Sequence, residues 1–168
     1  MSEIEPKMAN DEAYMRRAIA LAHQAASINE VPVGAVVVLK GKIIAEAGNA
    51  TIEECDPTGH AEVRALRAAA KSIANYRLSD AELFVTIEPC AMCLGAIVQS
   101  RIARVVYGAL EPKAGVLESN QGLLRDQCFN HSFDVRGGVL AEECAALMSD
   151  FFKQRRKLKA QLKRQTNP

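Results

Sequence analysis

His60-Ala61-Glu62 and, further along, Pro89-Cys90-Ala91-Met92-Cys93 are the residues of this sequence best typed for chemistry. One histidine and two cysteines suit a catalytic zinc. Three protein ligands leave the fourth position to water, whereas a structural zinc closes its tetrahedron with a fourth protein ligand. Two thiolates and a neutral imidazole cancel the charge of Zn2+ and leave a Lewis acid that lowers the pKa of bound water to about 7. Water so activated still needs a group to take its proton and pass it to a leaving group. Glu62, two residues from a ligand, has the chemistry for that general acid/base role.

Local structure must bring these groups together. The apolar run Leu83 to Ile87 reads as a buried strand, and Pro89 suits the first turn of a helix from Cys90 through Met92, Leu94, Ile97 and Val98. Three residues apart on one helical face, Cys90 and Cys93 would have Cβ atoms about 5 to 6 Å apart, within reach of one metal. The partial positive charge of the helix start favours thiolates. Asp56-Pro57-Thr58-Gly59 supplies turn and helix-start chemistry for His60, and Val63, Leu66, Arg67 and Ala70 continue at helical spacing. Two helix starts are expected to face one metal.

Blander readings stand beside this one. Cys-x-x-Cys also serves as a redox pair, although such pairs carry no His-x-Glu partner. A closed structural zinc needs a fourth ligand from Cys55, Cys128, Cys144, His23 or His131, none of which has ligand spacing with the motif. Cys144 reads as a small core residue, Cys55 and Cys128 as free thiols beside polar turns, and His23 as a structural residue of the first helix.

The chain of 168 residues, 49% hydrophobic and 24% charged, suits one compact domain over 1–168. No apolar stretch approaches the roughly 18 residues of a membrane span, and the acidic N-terminus lacks a signal-peptide core, so cytoplasmic residence is expected. Five cysteines without an export signal favour reduced thiols and metal over disulfides.

Asn10 reads as the cap of a first helix, with Asp11 and Glu12 in its opening turn and Met15, Ala18, Ile19, Ala22 and Ala25 on one face. Val33 to Leu39 is too continuously apolar for a strand with a wet face, and Lys40-Gly41-Lys42 turns it into a second strand ending at Gly48. With the strands at Leu83 and Arg104 and a basic C-terminal helix over about 140–164, the order is that of a three-layer α/β/α domain around a mixed sheet of about five strands. Residues 113 to 130 read as turn-rich, with a short helix near Leu123 and Leu124.

The motifs resemble the cytidine-deaminase-like zinc deaminases and, more closely, the bacterial tRNA-specific adenosine deaminases. Besides the two metal motifs, the resemblance rests on Val31-Pro32-Val33-Gly34, Asn75-Tyr76-Arg77-Leu78, Ser100-Arg101-Ile102, Phe129-Asn130-His131 and Leu140-Ala141-Glu142-Glu143-Cys144, and it spans nearly the whole chain. It implies hydrolysis of adenosine to inosine at the wobble position of a tRNA anticodon, with one zinc per subunit and Glu62 as proton shuttle. By position, Asn49 and the Ala61 backbone would hold the base, and Lys113, Asn130 and Phe152 would approach the RNA. Glu111, where the family often carries Asp, belongs to the same set. A homodimer is implied too.

Each residue has a plainer role open to it: Lys113 as a solvated cation, Asn130 as a turn cap, Phe152 as core. Lys153, Arg155, Arg156, Lys157, Lys159, Lys163 and Arg164 form either a phosphate-contacting surface or a solvated helix face. The net charge of +1 gives no independent sign of RNA. Rival functions are a free-base deaminase, such as one for guanine, and a noncatalytic zinc-stabilised RNA-binding domain, which would have no need of Glu62.

Overall fold

Alternate residues of the central strands pack against different helices. In a computed structural model that describes residues 4–120 and 129–166, Ala35, Val37, Leu83, Val85, Val105 and Tyr107 join a core with Ala65, Leu66, Leu94 and Ile97. Val36, Val38, Phe84 and Val106, one residue out of phase, pack instead with Met15, Ala18, Ile19 and Cys144. The period of two along a strand thus divides these apolar runs between two cores, which is why they carry no polar alternation.

The elements run α1 (Ile4–Ser27), β1 (Gly34–Leu39), β2 (Lys42–Gly48), α2 (Ala61–Ser72), β3 (Ala81–Ile87), α3 (Ala91–Ser100), β4 (Arg104–Ala109), β5 (Asp134–Arg136) and α4 (Ala141–Thr166). The sheet order is β2-β1-β3-β4-β5. β1 is antiparallel to both β2 and β3, while β4 runs parallel to β3 and β5, which makes the sheet mixed. Helices α2 and α3 lie on one face, α1 and α4 on the other. The three-layer expectation therefore holds, and among the described residues no helix is long and apolar enough to cross a membrane.

The expected strand after Lys40-Gly41 follows a turn in which both residues have positive φ, 50° and 75°. That backbone matches the twist of a two-residue hairpin. Close helix packing explains Gly34: a Cβ there would overlap the Ala18 carbonyl of α1.

Some expectations change. Helix α1 starts at Ile4, so Asn10 lies inside it and caps nothing. Asp11 is accordingly no first-turn residue; it is 2% exposed and bound to Arg104 and Arg136. Pro89 falls one residue before the N-cap of α3, outside the first turn. Strand β5, three residues of sequence Asp-Val-Arg, carries no periodic signal and forms only through register with β4. The short helix expected near Leu123 and Leu124 lies outside the described residues, as does Cys128. Cys144 is buried in the core as expected, with burial pushing its thiol up to about 12, while Cys55 and His23 are exposed.

Candidate active site

Each metal-ligand motif begins a helix. His60 is the N-cap of α2 and Cys90 the N-cap of α3; both have extended backbone, and neither side chain is used in a capping hydrogen bond. Their carbonyls instead accept the first helical bonds, from Arg64 N–H at 3.0 Å and Leu94 N–H at 2.9 Å. The two side chains are thereby left to project from the helix ends, where the partial positive charge favours anionic sulfur.

Upstream turns set that placement. The Asp56 carboxylate accepts from the Thr58 N–H at 2.8 Å and hydroxyl at 2.7 Å, a side-chain turn that delivers Gly59 and His60 to the start of α2. Strand β3 delivers Glu88-Pro89-Cys90 to the start of α3.

Cys90 Sγ and Cys93 Sγ are 3.7 Å apart, and His60 Nδ1 lies 3.7 Å and 3.5 Å from them respectively. Tetrahedral zinc with ordinary bond lengths requires edges of about 3.8 Å between sulfurs and about 3.6 Å from sulfur to nitrogen. The triangle fits that ion. These three are brought together as a group able to hold a metal, and His23 and Cys55 are not among them.

Charge within the cluster is uneven. The contact with Cys93 holds the Cys90 thiol down to about 3, aided by His60, whereas that contact and burial push the Cys93 thiol up. The lowering at Cys90 is the direction consistent with its helix end. The hydrogen bond that His60 makes to the Cys90 sulfur raises the imidazole in turn. Glu62, 3% exposed in the first turn of α2, has its carboxyl pushed up by burial, against its own backbone N–H and nearby His60. Asn49, buried directly after the end of β2, accepts the Ala61 N–H through Oδ1 at 2.9 Å.

Comparisons with known proteins agree with this geometry. Residues 9–156 match the MafB19-like deaminase family. A tRNA-specific adenosine deaminase of Haemophilus influenzae is 49% identical over 150 residues, covering 89% of this chain and 87% of that protein. One from Bacillus subtilis is 45% identical over 152 residues, covering 90% and 94%. This chain belongs to the tRNA-specific adenosine deaminase family. A solved structure from work on A-to-I editing by tRNA:A34 deaminases at the wobble position matches with a TM-score of 0.78 and 41% identity, covering 80% of this chain and 98% of the other.

Around the deaminase centre, the remaining expected residues divide into groups. Glu111, Lys113 and Phe152 share a hollow of about 550 Å³ that also touches Ile87, Met148 and Arg156, at the end of β3 that leads to Cys90. Phe152 is exposed and stands edge-on to Phe151, which is the buried member of the pair, so it is not core. Asn130 lies elsewhere: its Oδ1 accepts from Arg101 at 2.9 Å, beside Arg77 and His131 in a second hollow. Arg101 is the C-cap of α3 and Cys90 its N-cap, so Asn130 is tied to the end of that helix opposite Cys90. The cations between Lys153 and Arg164 are all exposed on α4.

Two buried carboxylates escaped the sequence reading. Glu30, fully buried, accepts from Thr51 Oγ1 at 3.1 Å and from the Ile52 and Glu53 N–H groups at 2.7 and 2.8 Å, holding the loop between Asn49 and His60. Glu88 does the same for residues 111–119. Their one sequence signal is a charge inside otherwise apolar motifs, Glu30 before Val31-Pro32-Val33 and Glu88 after Ile87.

Proposed function

We propose that this deaminase converts adenosine to inosine at the wobble position of a tRNA anticodon, consuming water and releasing ammonia. The carrying observation is Glu62: a carboxyl whose burial raises it above the usual carboxylate range, beside a triangle of three ligands spaced for zinc. A noncatalytic zinc domain would bury this carboxyl to no purpose, and burying one without a cation is costly.

His60, Cys90 and Cys93 would hold one zinc per subunit. When bound, zinc supplies Lewis acidity that brings the pKa of water to about 7. Glu62, as carboxylate, takes the first proton of the attacking water and passes it to the ring nitrogen, then takes the second from the new C6 hydroxyl and passes it to the amine, which leaves C6 as ammonia. Asn49 fixes the Ala61 backbone through its Oδ1 and presents its amide to the base. Glu111, Lys113 and Phe152 meet the RNA beside the pocket, with the face of Phe152 available for base stacking. Asn130, at the far end of α3, contacts the RNA away from that hollow. The basic residues of α4 engage phosphates.

The same reading takes 1–168 as one deaminase domain acting in the cytoplasm as a homodimer. A sedimentation mass equal to one chain at assay concentration would remove the dimer.

The deciding experiment supplies three substrates to the zinc-loaded protein: an anticodon stem-loop with adenosine at the wobble position, free adenosine, and free guanine. Inosine is read as guanosine after reverse transcription of the stem-loop. Conversion of the stem-loop far in excess of both small molecules is expected. Equal or better turnover of a free purine would instead make this a free-base deaminase, a chemistry found in a guanine deaminase of Bacillus subtilis with a related structure, at 33% identity and a TM-score of 0.59.

A further inference from the structure

Glu88 is 2% exposed, and among the described residues no ion pair includes it. Its charge is met by a loop. Oε1 accepts the N–H groups of Leu117, Glu118 and Ser119 at 2.9, 2.7 and 2.9 Å. Oε2 accepts the Glu111 N–H at 3.0 Å and the Ser119 hydroxyl. All of these donors lie between residues 111 and 119. Both oxygens of the buried side chain are thus satisfied within the loop. A ring of backbone N–H groups is here closed around a side-chain anion of the same chain.

Further contacts register the loop on the metal-site backbone. Val116 N–H donates to the Pro89 carbonyl at 3.1 Å, and Gly115 forms a bridge with Cys90. A Cβ at Gly115 would overlap the Glu88 carboxylate, so only glycine lets the loop close this tightly. The Asn120 amide then donates to the Gly115 carbonyl at 2.9 Å and the Pro112 carbonyl at 3.2 Å, bracing the loop from within. Glu111 and Lys113 ride on this loop, and the Glu111 carboxylate accepts the Lys113 N–H at 3.0 Å.

We propose that Glu88 is a positioning residue for substrate: its buried carboxylate clamps residues 111–119 to the strand end that bears Cys90, and so sets where Glu111 and Lys113 stand relative to the metal ligands. Glu88 touches neither substrate nor metal. The clamp acts on substrate recognition while leaving the ligand triangle intact. This rests on the RNA-deaminase reading above, in which Glu111 and Lys113 meet the RNA beside the pocket.

Glu88→Gln exchanges one acceptor oxygen for an amide that faces donors, and Gly115→Ala pushes the loop off the carboxylate while leaving strand β3 untouched. For both, with zinc-loaded wild type as reference, three quantities are measured: zinc per chain, hydrogen exchange of the amides in 111–119, and kcat and KM on the anticodon stem-loop. Zinc content should stay at the wild-type value. The amides of Leu117, Glu118 and Ser119 should exchange at least about tenfold faster, and KM should rise about tenfold with kcat within about threefold, the scale of losing hydrogen bonds to a charged group.

Unchanged exchange would overturn the clamp, and faster exchange with unchanged KM would overturn its role in recognition. Loss of zinc with a matching fall in kcat would make Glu88 a support of the metal site instead. A wild-type protein inactive on the stem-loop would bring down the RNA reading and the recognition role with it, while the exchange data would still report whether the clamp exists.

Discussion

Asp11 and Glu62 are both acidic residues on helices, 2% and 3% exposed, yet their carboxyls shift in opposite directions. Asp11 sits at the end of the sheet where β4 begins. Its Oδ1 accepts from Arg104 at 2.9 Å and its Oδ2 at 2.6 Å, Arg136 adds a further contact, and Arg104 also binds Glu82 at 2.6 Å. Burial would raise its carboxyl, but two guanidinium groups outweigh burial and hold it below 3.8. Glu62 sits at the other end, beside two sulfurs and an imidazole, and there burial wins. Burial alone therefore does not mark a functional acid. The balance of burial against partners does: burial prevails at Glu62, whereas guanidinium groups hold Asp11 as an anion, and a carboxyl raised by burial is the kind that general acid/base work uses.

The sharpest way to test that contrast is at the metal end. Cys90→Ser and Cys93→Ser should each lose zinc and with it essentially all turnover, since each removes a thiolate ligand; metal analysis showing full zinc with activity in both would exclude this centre. Glu62→Ala should keep zinc and fold and lose about 10²- to 10⁴-fold in kcat. Near-normal turnover of a zinc-replete variant would dissolve the distinction between the two acids.

At the paired end the signs reverse. Asp11→Ala should cost about 3 to 5 kcal/mol in urea unfolding, because it strands Arg104 and Arg136 partly buried, while kcat of the folded fraction stays within about twofold. The cost should also depend on pH. The folded carboxyl titrates below its unfolded value near 3.8, so its stabilisation is complete above that value and disappears as pH falls through the folded one. Unfolding midpoints of wild type and Asp11→Asn should differ by a constant amount from pH 7 to about 5 and converge only as pH falls through the folded value, which lies below 3.8. A gap that persists at low pH would show that the Asp11 charge is not what the arginines hold.

Smaller effects probe the surroundings of each acid. Asn49→Ala leaves the Ala61 N–H without its partner and should lower kcat/KM by about 10- to 100-fold, with zinc content unchanged. A change under twofold would show that the bond only shapes the loop. Truncation after Phe152 removes a segment whose described residues, 153–164, are exposed, and should leave the unfolding midpoint nearly unchanged. RNA affinity should fall and become less dependent on salt, because fewer phosphates are neutralised. An unchanged salt slope would assign the basic segment to solvent alone.

Covalent spacing makes part of this protein readable from its sequence. His60 two residues before Glu62, and Cys90 three before Cys93, already limit which groups can share a metal, because a helix start places such neighbours together whatever packs around it. The apolar runs of β1, β3 and β4 and the face of α1 at Met15, Ala18 and Ala22 were equally legible, since burial imposes a period on sequence.

What tertiary structure decided involves partners far apart in the chain or elements too short to show a period. Helix α1 begins at Ile4 and carries Asn10 within it. Asp11, which reads as a residue of a first turn, is paired with Arg104 and Arg136, and β5 exists through its register with β4. Asn130 stands at the opposite end of α3 from Cys90, and Glu30 and Glu88 spend their charge on the backbones of loops 51–53 and 111–119. No local pattern encodes those choices. Each depends on which buried charge finds donors when the sheet is assembled, and a buried charge must find them.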